Sequence, residues 1–108
     1  MDMEYFRKEG AMRITFHPND LELAMEVVHD VFLDYQRKGH RLHSPKTLFK
    51  KAIQSNNPLD IKFDFESMEI GVSVVEAIAE EQEERGDDST HTRGFVRRII
   101  FFENSYIH

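Results

Sequence analysis

The chain has 108 residues, of which 40% are hydrophobic and 31% charged, and its formal net charge is −6 at pH 7. This length and composition are typical of one soluble domain, and the lack of cysteine excludes disulfides, thiolate metal sites and a cysteine nucleophile. No apolar run is long enough to span a membrane, and the first residues lack the apolar stretch of a signal peptide, so we expect a cytoplasmic protein that binds no membrane.

The N-terminal part of the sequence predicts an arm followed by a strand. Residues 1–11 are polar and aperiodic, which favours a flexible arm, and residues 12–108 would then form a single domain. Within that domain, Ile14 and Phe16 alternate with polar residues and predict a short strand over Arg13–Phe16.

Two helices are predicted next. In the first, Asn19 is a suitable N-cap with Glu22 at capping-box spacing, and Gly39 marks the end. Its apolar face comprises Leu21, Ala24, Met25, Val28, Val31, Phe32 and Tyr35. The second helix begins with Ser44 as cap and Pro45 at the first helical position, and it ends before Pro58.

The remaining sequence predicts a strand, a helix and a strand. Apolar residues alternate with charged ones over Leu59–Phe65, which predicts a strand with one solvated face. Residues 67–85 fit a helix better than a strand, and Phe95–Phe102 alternates as a strand that is apolar on both faces. The predicted fold is α+β, in the order β-α-α-β-α-β, with three helices mainly on one face of a three-stranded sheet.

A strand with two apolar faces also bears on assembly. Three helices of this size would cover one face of the sheet, which leaves Val96, Ile100 and Phe102 exposed on the other. We therefore expect a homodimer that packs sheet to sheet. The alternative is that the N-terminal arm, with Tyr5 and Phe6, or the C-terminal tail, with Tyr106 and Ile107, covers that face within one chain.

Acidic residues form two blocks on the predicted helices. Four acids follow one another at i, i+4 spacing on the first helix, and a denser group lies toward the end of the third. Such surfaces are typical of docking sites for basic partners, although solvated helix faces have the same pattern. The candidate partner-binding residues are Glu22, Glu26, Asp30, Asp34, Glu76, Glu80, Glu83 and Glu84.

One basic block lies between them. Residues 37–51 contain no acid, and the start of the second helix offers backbone N–H groups to an anion. This block could bind phosphate or nucleic acid, or could simply pair with the acids of the neighbouring helices. The candidate residues are Arg37, Lys38, His40, Arg41, His43, Lys46, Lys50 and Lys51.

The motifs for metal binding or catalysis are weak. Glu26 and His29 have the carboxylate-x-x-His spacing of di-metal helix bundles, but those sites need this motif from two helices and the sequence contains one copy. His40 and His43 are two ligands, whereas zinc sites need three or four. Residues 87–91 contain Asp, Ser, Thr and His, but in one loop these do not make a catalytic triad. We expect no metal, no cofactor and no catalytic residue.

These observations favour a small, non-enzymatic protein-binding module, a regulator or inhibitor, that docks acidic helix faces onto a basic partner protein. The first alternative is a nucleic-acid or phosphate binder that uses residues 37–51, with weak affinity because the rest of the chain is acidic. The second is a small enzyme whose site no motif marks.

Overall fold

The computed structural model describes the backbone of residues 1–107 and the side chains of residues 1–102. Within these residues it has a three-stranded antiparallel sheet and four α-helices, which confirms the α+β class. The elements are β1 (Asp2–Phe6), β2 (Ala11–Phe16), a 3-10 turn (Pro18–Asp20), α1 (Leu21–Arg37), α2 (Lys46–Ser55), β3 (Leu59–Phe63), α3 (Met68–Glu84) and α4 (Thr90–Ile107). The order β-β-α-α-β-α-α replaces the predicted β-α-α-β-α-β.

The sheet has one apolar and one polar face, with β2 between β1 and β3. Alternate residues of β2 are fully buried against the helices: Met12, Ile14 and Phe16. On the opposite face Arg13 lies between Glu4 and Lys62, and its guanidinium donates a hydrogen bond to the Glu4 carboxylate. Thr15 donates to Asp60 over 2.6 Å on the same face. The half-buried Phe6 also lies on this face, with its ring against Arg13 and Lys62. This mainly polar face differs from the apolar face that the expected sheet-to-sheet dimer requires.

A strand occupies the segment for which we predicted a flexible arm. β1 pairs with β2 from Asp2 opposite Thr15 to Phe6 opposite Ala11, and the turn between them contains Gly10 at φ +63°. The alternation of acids with Met3 and Tyr5 was the signal for this strand, because both apolar side chains pack against the core.

Helices α1 and α2 lie where the sequence predicts them, although their first turns differ in detail. α1 begins at Leu21 after the 3-10 turn, and no side-chain hydrogen bond caps it, so the predicted capping box with Asn19 does not form. At α2 the Lys46 N–H donates to Ser44 Oγ over 3.3 Å, and Asn56 ends the helix in the left-handed conformation at φ 53°.

The predicted C-terminal strand is wrong, because Phe95–Phe102 is part of α4. Its buried residues have helical spacing: Thr92, Phe95, Val96 and Ile99. Ile100 and Phe101 are 45% and 67% exposed on the other side of the helix. The side chains of Tyr106 and Ile107 lie outside the described residues. The expected sheet-to-sheet dimer required a strand at this position, which a helix occupies.

The core lies between the apolar face of the sheet and the helices. α1 packs against both α2 and α3, and α4 packs mainly on α3, with Phe102 of α4 stacked on Tyr5 of β1. In the part of the chain described here, no helix combines the length and apolarity that a membrane crossing requires.

Candidate functional site

Two acidic stretches that are distant in sequence meet in a groove between α1 and α3. Its walls carry Asp30 and Asp34 of α1 and Glu80, Glu81 and Glu84 of α3. Its floor consists of Val27, Val31 and Ala77, and its volume is about 300 Å³. We call this feature the acidic groove.

Negative charge in the acidic groove is only partly neutralised. Asp34 forms an ion pair with Lys38 at 3.2 Å, and Glu81 forms one with Arg85 at 3.0 Å; each cation is the residue that directly follows the helix of its partner. Among the described residues, no ion pair involves Asp30, Glu80 or Glu84. Five carboxylates thus face two cations, and both ion pairs lie largely in solvent, where screening makes them weak.

The acidic groove does not have the geometry of a metal site. Among the described side chains of residues 1–102, no group of three or more histidine, aspartate or glutamate residues converges closely enough to hold an ion. The carboxylates are spread along two helices above an apolar floor, an arrangement that attracts an extended cationic surface more readily than a single ion.

The other predicted acids lie outside the acidic groove. Glu22 borders a depression at the start of α1 beside Ile53, and Glu26 pairs with Lys46 of α2 at 3.4 Å. The predicted ridge on α1 is therefore divided: its first half faces α2 and its second half faces α3. Glu76, one turn before Glu80, is half-buried.

Glu83, another of the predicted acids, joins α3 to α4. It forms an ion pair with Arg93 at 2.8 Å and accepts a hydrogen bond from the Ser89 hydroxyl at 2.6 Å. The hydrogen bonds from Arg93 and Ser89 lower the pKa of Glu83 to about 2. This carboxylate has a structural role, which the sequence alone did not indicate.

The structure divides the basic segment between several surfaces. Lys38 and Lys46 pair with acids of α1, while Lys50 and Lys51 are exposed on α2. Arg37 is exposed at the end of α1 and His43 in the loop before α2.

Two residues of the basic segment lie near β3. His40 packs edge-on against the Tyr35 ring at 5.2 Å, and both His40 and Arg41 line a cavity beside β3. The predicted anion site at the start of α2 is thus only partly assembled.

A histidine and a serine meet near that helix start. His29 Nδ1 lies 2.6 Å from Ser44 Oγ, which links α1 to the loop before α2. The same Ser44 oxygen accepts the Lys46 backbone N–H. These contacts fix the start of α2, so the structure gives Ser44 a local structural role.

The polar residues that resembled components of a hydrolytic site have a different role. Asp88 accepts hydrogen bonds from the backbone N–H and the hydroxyl of Thr90, at 2.9 and 2.6 Å, where α4 begins. These bonds lower the pKa of Asp88. This pattern is that of a helix N-terminus satisfied by a local side chain.

Sequence analysis missed one wall residue and the apolar floor of the acidic groove. Glu81 was not among the candidates, although it is four residues after Ala77 and so shares its side of the helix. Val27, Val31 and Ala77 could not be assigned to a groove until the packing of α1 against α3 was known.

Comparisons with protein-family models, with curated proteins and with solved structures find no match for this chain.

Proposed function

We propose that this chain is a small, non-enzymatic protein-binding module that docks the acidic groove onto a basic surface of a partner protein. The convergence of acids from α1 and α3 on one groove is the observation that supports this function. Carboxylates that repel one another weaken the folded state slightly, and Glu80 and Glu84 also oppose the dipole of α3 near its C-terminal end. A function in binding explains why the chain retains them.

The shape of the acidic groove favours a particular kind of partner. Acids on two walls select lysine or arginine side chains, and the floor of Val27, Val31 and Ala77 accepts small apolar side chains. A basic amphipathic helix combines both features on one face. By covering such a segment, the module would act as a regulator or inhibitor of the protein that carries it.

The test compares two variants with equal charge changes. The groove variant carries Asp30→Asn, Glu80→Gln and Glu84→Gln. The control variant carries Glu9→Gln, Glu66→Gln and Asp87→Asn, all exposed residues outside the acidic groove. The probe is a lysine-rich amphipathic peptide, measured by fluorescence anisotropy at low and at physiological salt, with a glutamate-rich peptide as the negative control.

We expect the wild type and the control variant to bind the lysine-rich peptide in a salt-dependent manner, and the groove variant to lose most of that binding. Equal binding by both variants would show that only net charge matters and would contradict a role for the groove. Native cell extract passed over the immobilised protein extends the test to natural partners. Recovery of nucleic acid, lost with Arg41→Ala and Lys50→Ala, would instead favour the basic segment as the working surface.

A further inference from the structure

β3 has one side that pairs with nothing in the described chain. β2 pairs with one side of this strand, and the strand order β1-β2-β3 leaves the other side at the edge of the sheet. Within residues 1–107, no backbone hydrogen bond joins that edge to another segment. Unpaired N–H and C=O groups on an edge strand are a template for a further strand.

A cavity of about 400 Å³ borders the second half of β3, from Ile61 to Phe63, and its wall also includes Phe32 of α1 and Ile70 of α3. Ile61 and Phe63 are on the apolar face of the sheet and Lys62 is on the polar face, yet all three line the cavity. Residues that lie on opposite faces of a sheet can border one space only where that space reaches the edge of the strand, so this cavity opens at the edge of β3. The loop residues His40–Leu42 also border this space. An added strand would therefore find both room and unpaired backbone groups.

We propose that β3 pairs with β3 of a second copy of this chain, antiparallel and with the two-fold axis at Ile61. In this register Leu59 lies opposite Phe63 of the second copy, and Asp60 lies opposite Lys62 of the second copy. The two three-stranded sheets then join edge to edge into one sheet of six strands.

The charge pattern of β3 identifies a second copy as the occupant. Leu-Asp-Ile-Lys-Phe, paired with itself in reverse, matches apolar with apolar residues and acid with base. A shift by one residue would place charged residues opposite apolar ones, and a shift by two would place Asp60 opposite Asp60 or Lys62 opposite Lys62 of the second copy. The faces and the charges together therefore select the register centred on Ile61. Asp60 and Lys62 are exposed and lie on the polar face, where Thr15 and Glu9 are their present partners at 2.6 and 3.6 Å. Surface contacts of this kind do not prevent pairing with a second copy.

This interface differs from the one expected from the sequence and does not involve the acidic groove. It joins sheet edges instead of sheet faces, and it is isologous because each copy contributes the same strand. A test of the dimer through β3 is therefore independent of any test of partner binding by the acidic groove.

Charge exchange on β3 gives a direct test. Asp60→Lys places lysine opposite lysine in the dimer, and Lys62→Asp places aspartate opposite aspartate, so each single variant should be monomeric. The double variant D60K/K62D restores both opposite-charge pairs within a homodimer. An equimolar mixture of the two single variants restores both pairs in a heterodimer. Sedimentation velocity over a concentration series reports the molecular mass in each case.

We expect dimers for the wild type, for the double variant and for the mixture, and monomers for each single variant alone. Circular dichroism and thermal unfolding check that every variant is folded. A folded wild type that stays monomeric at all concentrations would overturn the proposal. Dimers in both single variants would overturn it as well, because the interface would then lie elsewhere.

Discussion

Two glycines in helices have opposite surroundings. Gly71 in α3 is buried, and a Cβ atom there would lie 2.8 Å from Cγ of Phe63 and 3.1 Å from Cε of Met12. Beyond its own helix backbone and its chain neighbours, Gly94 in α4 has no atom within 4 Å of the position that its Cβ would take. The absence of a side chain at residue 71 thus allows α3 to approach the sheet closely. At residue 94 there is space for a side chain.

We expect Gly71→Ala to destabilise the protein by about 1–3 kcal/mol, because the buried Phe63 ring cannot move aside. Gly94→Ala is the matched control and should stabilise α4 by about 0.5–1 kcal/mol, since alanine is the better helix former. Urea denaturation followed by circular dichroism measures both. A stabilised Gly71→Ala variant would contradict the close packing of α3 on β3.

The low pKa of Glu83 predicts a contribution to stability at neutral pH. The folded-state pKa of about 2 lies below the ordinary value of 4.5, so the stabilisation is fully present above pH 4.5 and is lost as the pH falls toward 2. Glu83→Gln should therefore lower the melting temperature at pH 7, and the difference from wild type should shrink as the pH decreases.

The control for this measurement is Glu84→Gln, one residue later on α3. Because Glu84 has no ion pair within the described residues, its replacement should leave the acid profile of the wild type nearly unchanged. If Glu83→Gln and wild type differ equally at pH 7 and at pH 2.5, the ion pair with Arg93 does not stabilise the contact between α3 and α4.

At the scale of elements, α4 shows how a short apolar segment can satisfy two patterns. Residues 95–102 alternate like a strand, but Phe95, Val96 and Ile99 also have helical spacing. Isoleucine, valine and phenylalanine have high strand propensity, so the local sequence favours a strand. The segment is helical because its buried residues pack on α3. Longer periodic patterns were less ambiguous, and α1 and α3 follow their predicted bounds closely.

Two neighbouring isoleucines distinguish the helix from a strand. Ile99 is 1% exposed and Ile100 is 45% exposed, whereas a strand that is buried on both faces would bury them equally. We expect Ile99→Ala to cost about 2–5 kcal/mol. We expect Ile100→Ala to cost no more than about 0.5 kcal/mol, because it lies largely on the surface.

Thermal and urea unfolding of the two alanine variants measure this contrast. Equal destabilisation by Ile99→Ala and Ile100→Ala would favour the strand and contradict α4.

At the scale of the whole molecule, the sequence predicted which residues carry charge but not where the charges meet. Glu26 and Asp30 are one turn apart, yet the first pairs with Lys46 of α2 and the second faces α3. Helical spacing places both on one side of α1, and only the directions from which α2 and α3 approach separate them. Fold class follows from local patterns, whereas a groove between helices depends on tertiary packing.

The position of β2 has a consequence for the rate of folding. Its partner β1 is adjacent in sequence, so this hairpin closes a short loop. Its other partner, β3, follows only after α1 and α2. Contacts between distant parts of a chain form slowly because the ordering entropy of the intervening segment must be overcome first. We therefore expect the hairpin to form early, and the joining of β3 to β2 to limit the rate at which this small protein reaches its native state.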